Sequence, residues 1–198
     1  MYSYHTIEKP TVAEYKDRGS RFLAFAFPIQ SPEEFKKQLK ALKEEHPKAA
    51  HHCFAYRLGT GGMNFRSGDD GEPSGSAGKP ILGQIDSKNL TNVAVIVVRY
   101  FGGTLLGIPG LINAYKTVTS LCLQLTPLIE KPVLAHYTLE FDYTLMNEVM
   151  MVIKRFDCEV LSNEMQLFCR MEVGIPKMSE DDCVKKLREL YGIQLTKM

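Results

Sequence analysis

The residues from Val93 to Arg99 form an almost unbroken run of β-branched side chains, and this run constrains the fold more than any other segment. Such side chains favour strands, so the run predicts a central strand of a sheet. Its apolar part, Val93 to Val98, is far too short to span a membrane. A glycine-rich turn follows it, and then comes a helix whose apolar residues recur at helical spacing. These residues are Leu111, Ala114, Tyr115, Val118, Leu121, Cys122 and Leu125.

The segments before this strand alternate between strand and helix signals. Residues 21–29 and 51–58 are predicted strands, and the first is rich in phenylalanine. The sequence Ser31-Pro32-Glu33-Glu34 is a capping box with proline at the first helical position, and Pro47 ends the helix that it starts. Residues 59–78 are dense in Gly, Ser and Asp, so we interpret them as one long loop that leads to a short helix near residues 80–85.

The last third of the chain predicts a second domain. Pro127 and Pro132 flank a short charged stretch that we interpret as a linker, with domains at residues 1–130 and 133–198. Beyond it we predict strands at 134–143, 158–161, 165–173 and 193–196. Thr144 and Ser179 are the predicted caps of two helices. The order βαββαβ is that of the ferredoxin-like sandwich, and the whole chain falls in the α+β class.

Charge and cysteine content narrow the function classes. Over 198 residues the formal net charge is +1, so no overall field indicates a nucleic acid or membrane partner. The 5 cysteines are scattered and contain no C-x-x-C pair, which argues against a disulfide framework and a zinc site. Together with a start that lacks a secretion signal, this predicts a soluble, cytoplasmic protein with reduced, non-catalytic cysteines.

The loop from Asp69 to Pro80 is the first candidate site. Its carboxylates at Asp69, Asp70 and Glu72 lie close in sequence to Lys79 and to glycines that leave backbone amides open. Such a loop can hold a hard cation or a cationic group of a partner. The alternative is a turn-rich loop whose Asp and Ser side chains satisfy its own backbone.

The turn from Arg99 to Leu111 is the second candidate site. A strand passes here through glycines into a helix, and open amides at such a helix start, with Arg99 beside them, can bind phosphate. The spacing matches neither a Walker loop nor a dinucleotide-binding fingerprint. The alternative is that the glycines only let the strand and the helix pack closely.

The sequence His51-His52-Cys53 is the third candidate site. Strand alternation places His51 and Cys53 on one face and His52 on the other. A thiol near an imidazole is the minimum for a cysteine nucleophile, but no third, orienting group can be named. A structural or binding role is therefore favoured over catalysis.

Together these segments resemble one family, the YigZ/IMPACT family in its two-domain bacterial form. The resemblance is carried by His51-x-Cys53-x-Ala55-Tyr56, by Asp69-Asp70-Gly71-Glu72-Pro73-Ser74-Gly75-Ser76-Ala77-Gly78 and by Val97-Val98-Arg99-Tyr100-Phe101-Gly102-Gly103. Ser20-Arg21-Phe22 looks like its N-terminal strand motif, and Ala114-Tyr115 continues the match. Pro109 departs from the usual glycine and removes one amide donor from the turn.

The resemblance implies a fold and a role in translation. The first domain is expected to resemble domain IV of elongation factor G, which has a ribosomal protein domain-2-like fold, and the second its ferredoxin-like domain V. Eukaryotic relatives bind a ribosome-associated scaffold and restrain a kinase that phosphorylates an initiation factor. For this chain the implied role is contact with the ribosome, RNA or a translation-associated protein, without a cofactor or a bound metal.

We therefore expect a binding protein rather than an enzyme. The alternative is a metal-assisted hydrolase or phosphate-handling enzyme that uses the Asp69-Asp70-Gly71-Glu72 loop, which would require the three carboxylates to converge. We expect exposed charges in the loop and the turn, whose replacement leaves the melting temperature nearly unchanged. The candidate binding residues are His51, Arg57, Asp69, Asp70, Glu72, Ser74, Lys79, Arg99, Gly102 and Gly103.

Overall fold

A computed structural model describes residues 1–165 and 168–198. The chain divides into two compact units, one of residues Tyr4–Lys131 and one of Met1–Ser3 together with Pro132–Met198. Both units mix strands with helices, as the sequence predicts, and the described residues form several sheets and five α-helices. None of these helices is both long and apolar enough to cross a membrane.

The elements up to residue 132 include the predicted strands and helices and four further strands. The strands are β1 Ser3–Ile7, β2 Thr11–Asp17, β3 Ser20–Pro28, β4 His51–Leu58, β5 Asn64–Gly68, β6 Val93–Tyr100 and β7 Leu128–Pro132. The helices are α1 Pro32–Glu45, α2 Gly78–Ser87 and α3 Gly107–Gln124. The Ser31 hydroxyl accepts a hydrogen bond from the Glu34 amide, so the predicted cap of α1 is present.

The run from Val93 to Val98 is the middle strand of a five-stranded sheet in the order β2-β3-β6-β4-β5, in which neighbouring strands are antiparallel. Every residue of this run is fully buried. Val95 and Val97 pack in the core that includes residues of α2 and α3, whereas Ala94 and Ile96 pack with residues of α1. The β-branched run is therefore covered on both faces.

The register of this sheet decides which side chains meet. His51 at the start of β4 pairs with Arg99 near the end of β6, and Phe22 of β3 pairs with Arg99 from the other side. Arg57 of β4 pairs instead with Val93, at the opposite end of β6. Because a strand rises about 3.3 Å per residue, Arg57 lies roughly 20 Å from the end that carries Arg99.

The second unit is built on a four-stranded antiparallel sheet. Its strands are β8 Leu134–Phe141, β9 Glu159–Met165, β10 Cys169–Pro176 and β11 Gln194–Lys197, in the order β11-β8-β10-β9. Helices α4 Met146–Arg155 and α5 Glu180–Glu189 lie between strands in the predicted chain order βαββαβ. Leu139 of β8, Ile153 of α4 and Leu187 of α5 share one buried core.

Three sequence interpretations are corrected by the structure. Residues 59–78 are not one long loop, because β5 pairs with β4 inside them. The predicted linker at 127–133 contains strand β7, which pairs with β1. The cap after β8 is Asp142, whose carboxylate accepts from the Thr144 amide at the start of a 3-10 turn, and α4 begins only afterwards at Met146. The predicted strand at 165–173 includes residues 166–167, which lie outside the described residues.

Candidate functional site

The first and third candidate segments and the start of the second meet at one end of the five-stranded sheet. Here β6 ends, β4 begins, and the loop between β5 and α2 folds back over both strands. The side chains that meet are those of His51, Cys53, Glu72, Arg99 and Tyr115, together with Ser20 from the start of β3.

A buried ion pair between Arg99 and Glu72 forms the centre of this cluster. Arg99 Nη1 donates to Glu72 Oε1 over 2.6 Å, and the two side chains are only 6% and 3% exposed. The guanidinium also lies over the rings of Phe22 and Phe101, at 5.4 Å and 5.7 Å from their centroids. The expectation that the Arg99 charge is exposed is wrong, because the guanidinium is buried and compensated by Glu72.

Tyr115 and Cys53 extend the network from Glu72 towards the core. The Tyr115 hydroxyl donates to Glu72 Oε1 over 2.8 Å, and the Cys53 thiol lies 3.2 Å from the Tyr115 hydroxyl oxygen. The Asp69 carbonyl oxygen, 3.0 Å from the same sulfur, is a second acceptor. Burial raises the pKa of Cys53 and of Tyr115 well above their usual values. Cys53 is thus a protonated thiol, which is unsuited to act as a nucleophile.

His51 lies at the outer edge of the network. Its Nδ1 must carry the proton, since it lies 2.8 Å from the backbone carbonyl of Asp70, which can only accept. Its Nε2 lies 3.9 Å from Glu72 Oε1. As the alternation of β4 predicts, His51 and Cys53 share this face, whereas His52 lies on the other, 3.8 Å from the carboxylate of Asp70.

Asp69 is bound by the backbone of its own loop. Its carboxylate accepts hydrogen bonds from the amides of Gly75, Ala77 and Gly78, at 2.8, 3.1 and 2.7 Å. Burial alone would raise the pKa of Asp69, but these three bonds hold it below its usual value. Because Gly78 is the first residue of α2, Asp69 satisfies orphan amides at that helix start.

Asp70 points away from Asp69 and Glu72. Its Oδ2 accepts from the His52 amide over 2.6 Å, and its Oδ1 lies 3.6 Å from Lys43 of α1. The backbone of Asp70 is left-handed, with φ of 44°, which turns successive side chains in different directions. The three carboxylates of the loop therefore have three different sets of partners and do not converge.

No group of three or more His, Cys, Asp or Glu side chains is placed to hold a metal ion anywhere in residues 1–165 and 168–198. The convergence that metal-assisted hydrolysis requires is thus missing from the Asp69–Glu72 segment. The geometry favours the alternative interpretation, in which the side chains of this loop satisfy its own backbone. Glu72 then anchors the loop to the sheet.

The glycines of the second segment have two different environments. Gly102 packs against the turn between β2 and β3 so closely that a Cβ would lie 1.9 Å from the Gly19 carbonyl carbon. Its amide donates to the Ser20 hydroxyl, which is also 3.4 Å from Arg99 Nη2. Gly103 has φ of 85° and no atom that a Cβ would meet within 4 Å. Close packing therefore explains Gly102, and the left-handed turn explains Gly103.

The other predicted residues lie outside the buried network. Ser74 and Lys79 are exposed on the loop and at the start of α2. Arg57 is not brought to the site, because its guanidinium pairs with Asp86 at 2.6 Å near the opposite end of the sheet. It also donates to the Gly62 carbonyl and lies over the Phe65 ring.

Two members of the cluster were not among the candidate residues. Ser20 is fully buried, and its hydroxyl joins the turn to Arg99. The sequence places Tyr115 on the apolar face of α3 and in the family motif, but gives its hydroxyl no partner. The sequence did contain a signal for the role of Tyr115. A buried tyrosine hydroxyl requires a hydrogen-bond partner, and Glu72 is an acceptor in a segment expected to lie nearby.

A patch of exposed apolar side chains lies directly beside this cluster. Phe101, Leu105 and Ile108 are 51%, 82% and 52% exposed. Phe101 and Leu105 belong to the segment that connects β6 to α3, and Ile108 lies in the first turn of α3. Ile112, one helical turn beyond Ile108, is 39% exposed. We call these four residues the apolar turn. Exposed apolar groups of this size in a row are typical of interaction sites.

Comparison with known proteins agrees with the motifs. Residues 18–123 match the family described as the Impact N-terminal domain. The chain is 30% identical to the IMPACT family member YigZ of Escherichia coli over 191 residues, which cover 96% of this chain and 94% of YigZ. The Protein IMPACT homolog of Saccharomyces cerevisiae is 38% identical over 96 residues, which cover 46% of this chain and 36% of that protein.

A solved crystal structure gives a likeness over the whole chain. It belongs to a protein described only as hypothetical, to which the chain is 29% identical. The superposition covers 100% of this chain and 98% of the other and has a TM-score of 0.79.

Proposed function

Because the chain belongs to the IMPACT family, we propose that it regulates translation by binding a component of the translation machinery, and not by catalysing a reaction. The family resemblance supports a role in translation, since eukaryotic relatives act there. The component is the ribosome, RNA or a translation-associated protein. The geometry of the site favours contact with a protein surface.

The observation that carries the non-catalytic role is that the three carboxylates and the thiol of the site are each engaged by other groups of the chain. Glu72 is buried against Arg99 and Tyr115, Asp69 is bound to three amides, and Asp70 contacts the amide of His52. The Cys53 thiol is held protonated by burial. Nucleophilic or acid–base catalysis requires such groups to be within reach of a substrate, and here each is held by a different part of the chain.

The apolar turn is the surface that we propose for the partner. Leu105 is the most exposed of its members, and the neighbouring Arg99 presents no net charge because Glu72 neutralises it. A phosphate-binding site would need an uncompensated cation, whereas a protein partner gains most from burying apolar area. The buried network beneath would hold the turn in a fixed shape, which lowers the entropy cost of binding.

The same proposal includes a specific fold for each of the two units. The antiparallel sheet of the first unit, with helices on both faces, is compatible with the fold of domain IV of elongation factor G. The second unit has the chain order βαββαβ and the strand order β11-β8-β10-β9, which fits a ferredoxin-like fold. We propose both assignments, because together they would relate the chain to a factor that works on the ribosome.

The open sheet face of the second unit makes base stacking a poor explanation of its role. Away from the buried core, β8 presents His136, Thr138 and Glu140, and β10 presents Arg170 and Glu172. RNA-binding sheets of this topology stack bases on aromatic side chains, and the described residues of β8 and β10 place none on this face. The apolar turn of the first unit therefore remains our candidate contact.

Cosedimentation tests the proposal. Purified ribosomes and a ribosome-free fraction of translation factors from the source cell would be incubated separately with the full chain and with Leu105→Glu. We expect one of the two to bind the native chain, and we expect Leu105→Glu to weaken that binding by about tenfold or more, as for a buried interface anchor. Met63→Glu is the matched control, since Met63 is equally exposed at 85% but follows the end of β4 remote from Arg99.

Three results would count against this function. Binding to neither fraction would exclude a partner in translation. Equal losses of binding for Leu105→Glu and Met63→Glu would exclude the apolar turn as the contact surface. Binding to protein-free ribosomal RNA that falls steeply with salt and survives Leu105→Glu would assign an RNA partner at another surface.

A further inference from the structure

Two cysteines of the second unit place their sulfur atoms in contact. Cys158 Sγ lies 3.6 Å from Cys183 Sγ. Cys158 precedes β9, and Cys183 lies in α5, where it is fully buried. A disulfide needs an S–S distance of about 2.05 Å, so the two sulfurs must approach each other by roughly 1.5 Å.

The backbone on the Cys158 side is held in place by the end of α4. The Cys158 amide donates to the Ile153 carbonyl over 3.0 Å, and Asp157 between them adopts a left-handed φ of 51°. This arrangement satisfies carbonyls at the end of the helix and fixes the direction of the Cys158 side chain. The short distance between the sulfurs is therefore set by regular structure on both sides, by the end of α4 and by α5.

The thiols of the first unit have other partners. Cys53 contacts the Asp69 carbonyl and Tyr115, and Cys122 lies 3.3 Å from the Ala24 carbonyl. Cys122 is fully buried, so peroxide has no direct access to its sulfur. Cys158 differs from these because it is partly exposed and its hydrogen-bond partner is another thiol.

We propose that Cys158 and Cys183 are a modification site, where hydrogen peroxide converts the two thiols into a reversible disulfide within the second unit. The hydrogen bond to Cys183 and burial raise the pKa of Cys158, so the pair loses its first proton from Cys183. Cys158, the accessible thiol, passes its own proton across the 3.6 Å contact to the Cys183 thiolate and attacks one oxygen of the peroxide. The O–O bond breaks, Cys158 becomes a sulfenic acid, and the departing hydroxide takes up the proton that the pair first released and forms water.

The second step joins the two sulfurs. The Cys183 thiolate attacks the sulfenic sulfur, the S–O bond breaks, and the departing hydroxide takes up the proton that Cys183 released. Two thiols are thereby oxidised by two electrons, and one peroxide is reduced to two waters. The attack needs little movement, because the two sulfurs already lie 3.6 Å apart in the reduced protein.

The bond would change the second unit without breaking its core. It closes a loop that contains β9, β10 and the first turn of α5. Such a loop restricts the unfolded chain more than the folded one, so the oxidised unit should melt at a higher temperature than the reduced one. Reduction by a small dithiol should return the original melting curve.

The test uses the purified full chain, reduced and then exposed to hydrogen peroxide. We expect the intact mass to fall by about 2 Da, and peptide mapping to find Cys158 joined to Cys183. Dithiothreitol should restore the mass. In Cys183→Ser the sulfenic acid at Cys158 has no partner, so dimedone should label Cys158 there and not in the native chain. Cys53→Ser is the matched control and should form the same disulfide.

The native chain keeps the test decisive even if Cys183→Ser does not fold. After peroxide treatment of the native chain, full alkylation of both Cys158 and Cys183 would overturn the proposal. So would a disulfide between two copies, or a sulfinic acid on Cys158 with Cys183 still free. Circular dichroism on each variant separates a lost disulfide from a lost fold.

Discussion

Arg99 and Glu72, which are far apart in the chain, meet as a buried ion pair with 2.6 Å between Nη1 and Oε1. The pair joins the end of the middle strand to the loop that precedes α2. Both charges are removed from water, so each is tolerated only while the other is present. Arg99 and Glu72 therefore stabilise the structure of the site directly, and we expect them to affect binding only through that structure.

Removing one partner of this pair should be costly. We expect Glu72→Gln to lower the free energy of unfolding by about 3 kcal/mol, because it leaves the Arg99 guanidinium buried beside a neutral amide. Urea unfolding followed by circular dichroism measures this change. Glu44→Gln is the control, since Glu44 is 69% exposed and its 3.9 Å contact with Lys40 is a surface pair. It should leave the unfolding curve in place.

This expectation replaces the one drawn from the sequence, in which replacing the site charges leaves stability nearly unchanged. A Glu72→Gln chain as stable as the native protein would contradict the buried pair. A double-mutant cycle with Arg99→Met adds a sharper measure, because removing both charges should cost less than the sum of the two single changes.

Asp69 should stabilise the protein in a pH-dependent way. Its folded pKa is lowered below the usual 3.8, mainly by three amide bonds that outweigh burial. Its contribution is therefore complete above the unfolded pKa and is lost as the pH falls through the folded one. Asp69→Asn should cost about 1 kcal/mol at pH 7, as for the loss of a helix cap.

Thermal unfolding at several pH values checks the sign. The difference in melting temperature between the native chain and Asp69→Asn should be largest near neutral pH and should shrink as the buffer becomes more acid than about pH 4. A difference that stays constant down to the acid limit of the native fold would show that the charge of Asp69 contributes nothing.

Two adjacent glycines should respond differently to substitution. Gly102→Ala places a Cβ 1.9 Å from the Gly19 carbonyl carbon, so the turns must separate, at a cost of about 3 kcal/mol. Gly103→Asn meets nothing within 4 Å and needs only a left-handed backbone, which asparagine tolerates, so we expect a cost of about 1 kcal/mol or less. Melting curves of the two variants should therefore differ clearly, and equal losses would contradict the close approach of the two turns.

The first unit should fold without the second. A fragment of residues 1–131 keeps β1 and most of β7 together with its own core, so we expect it to remain soluble and to unfold cooperatively. A fragment of residues 9–131 loses β1, in which Ile7 is 1% exposed and the His5 carbonyl accepts from the Thr91 amide. Burial of Ile7 alone contributes about 2 kcal/mol, so the shorter fragment should be measurably less stable.

Urea titration of the two fragments provides the measurement. An aggregating or non-cooperative 1–131 fragment would show that the unit depends on the rest of the chain. Equal stability of the two fragments would show instead that β1 contributes little.

The sequence determined the local structure of this protein well. The β-branched run fixed β6, the capping box fixed α1, and the alternation of His51 to Cys53 placed these side chains on the faces that they occupy. Such patterns work because backbone preference and side-chain period act between near neighbours. The rest of the loop region was misjudged, because β5 is a short polar strand whose formation depends on pairing with β4.

Only the tertiary structure decided what the conspicuous polar residues do. Their motif marks Asp69, Glu72 and Arg99 as unusual, but it does not show whether they face solvent or one another. That is settled by the register that sets His51 opposite Arg99 and by the return of the loop after β5 to the sheet. A charge is stable in the interior only with a partner, and partners so far apart in sequence are brought together by the fold alone.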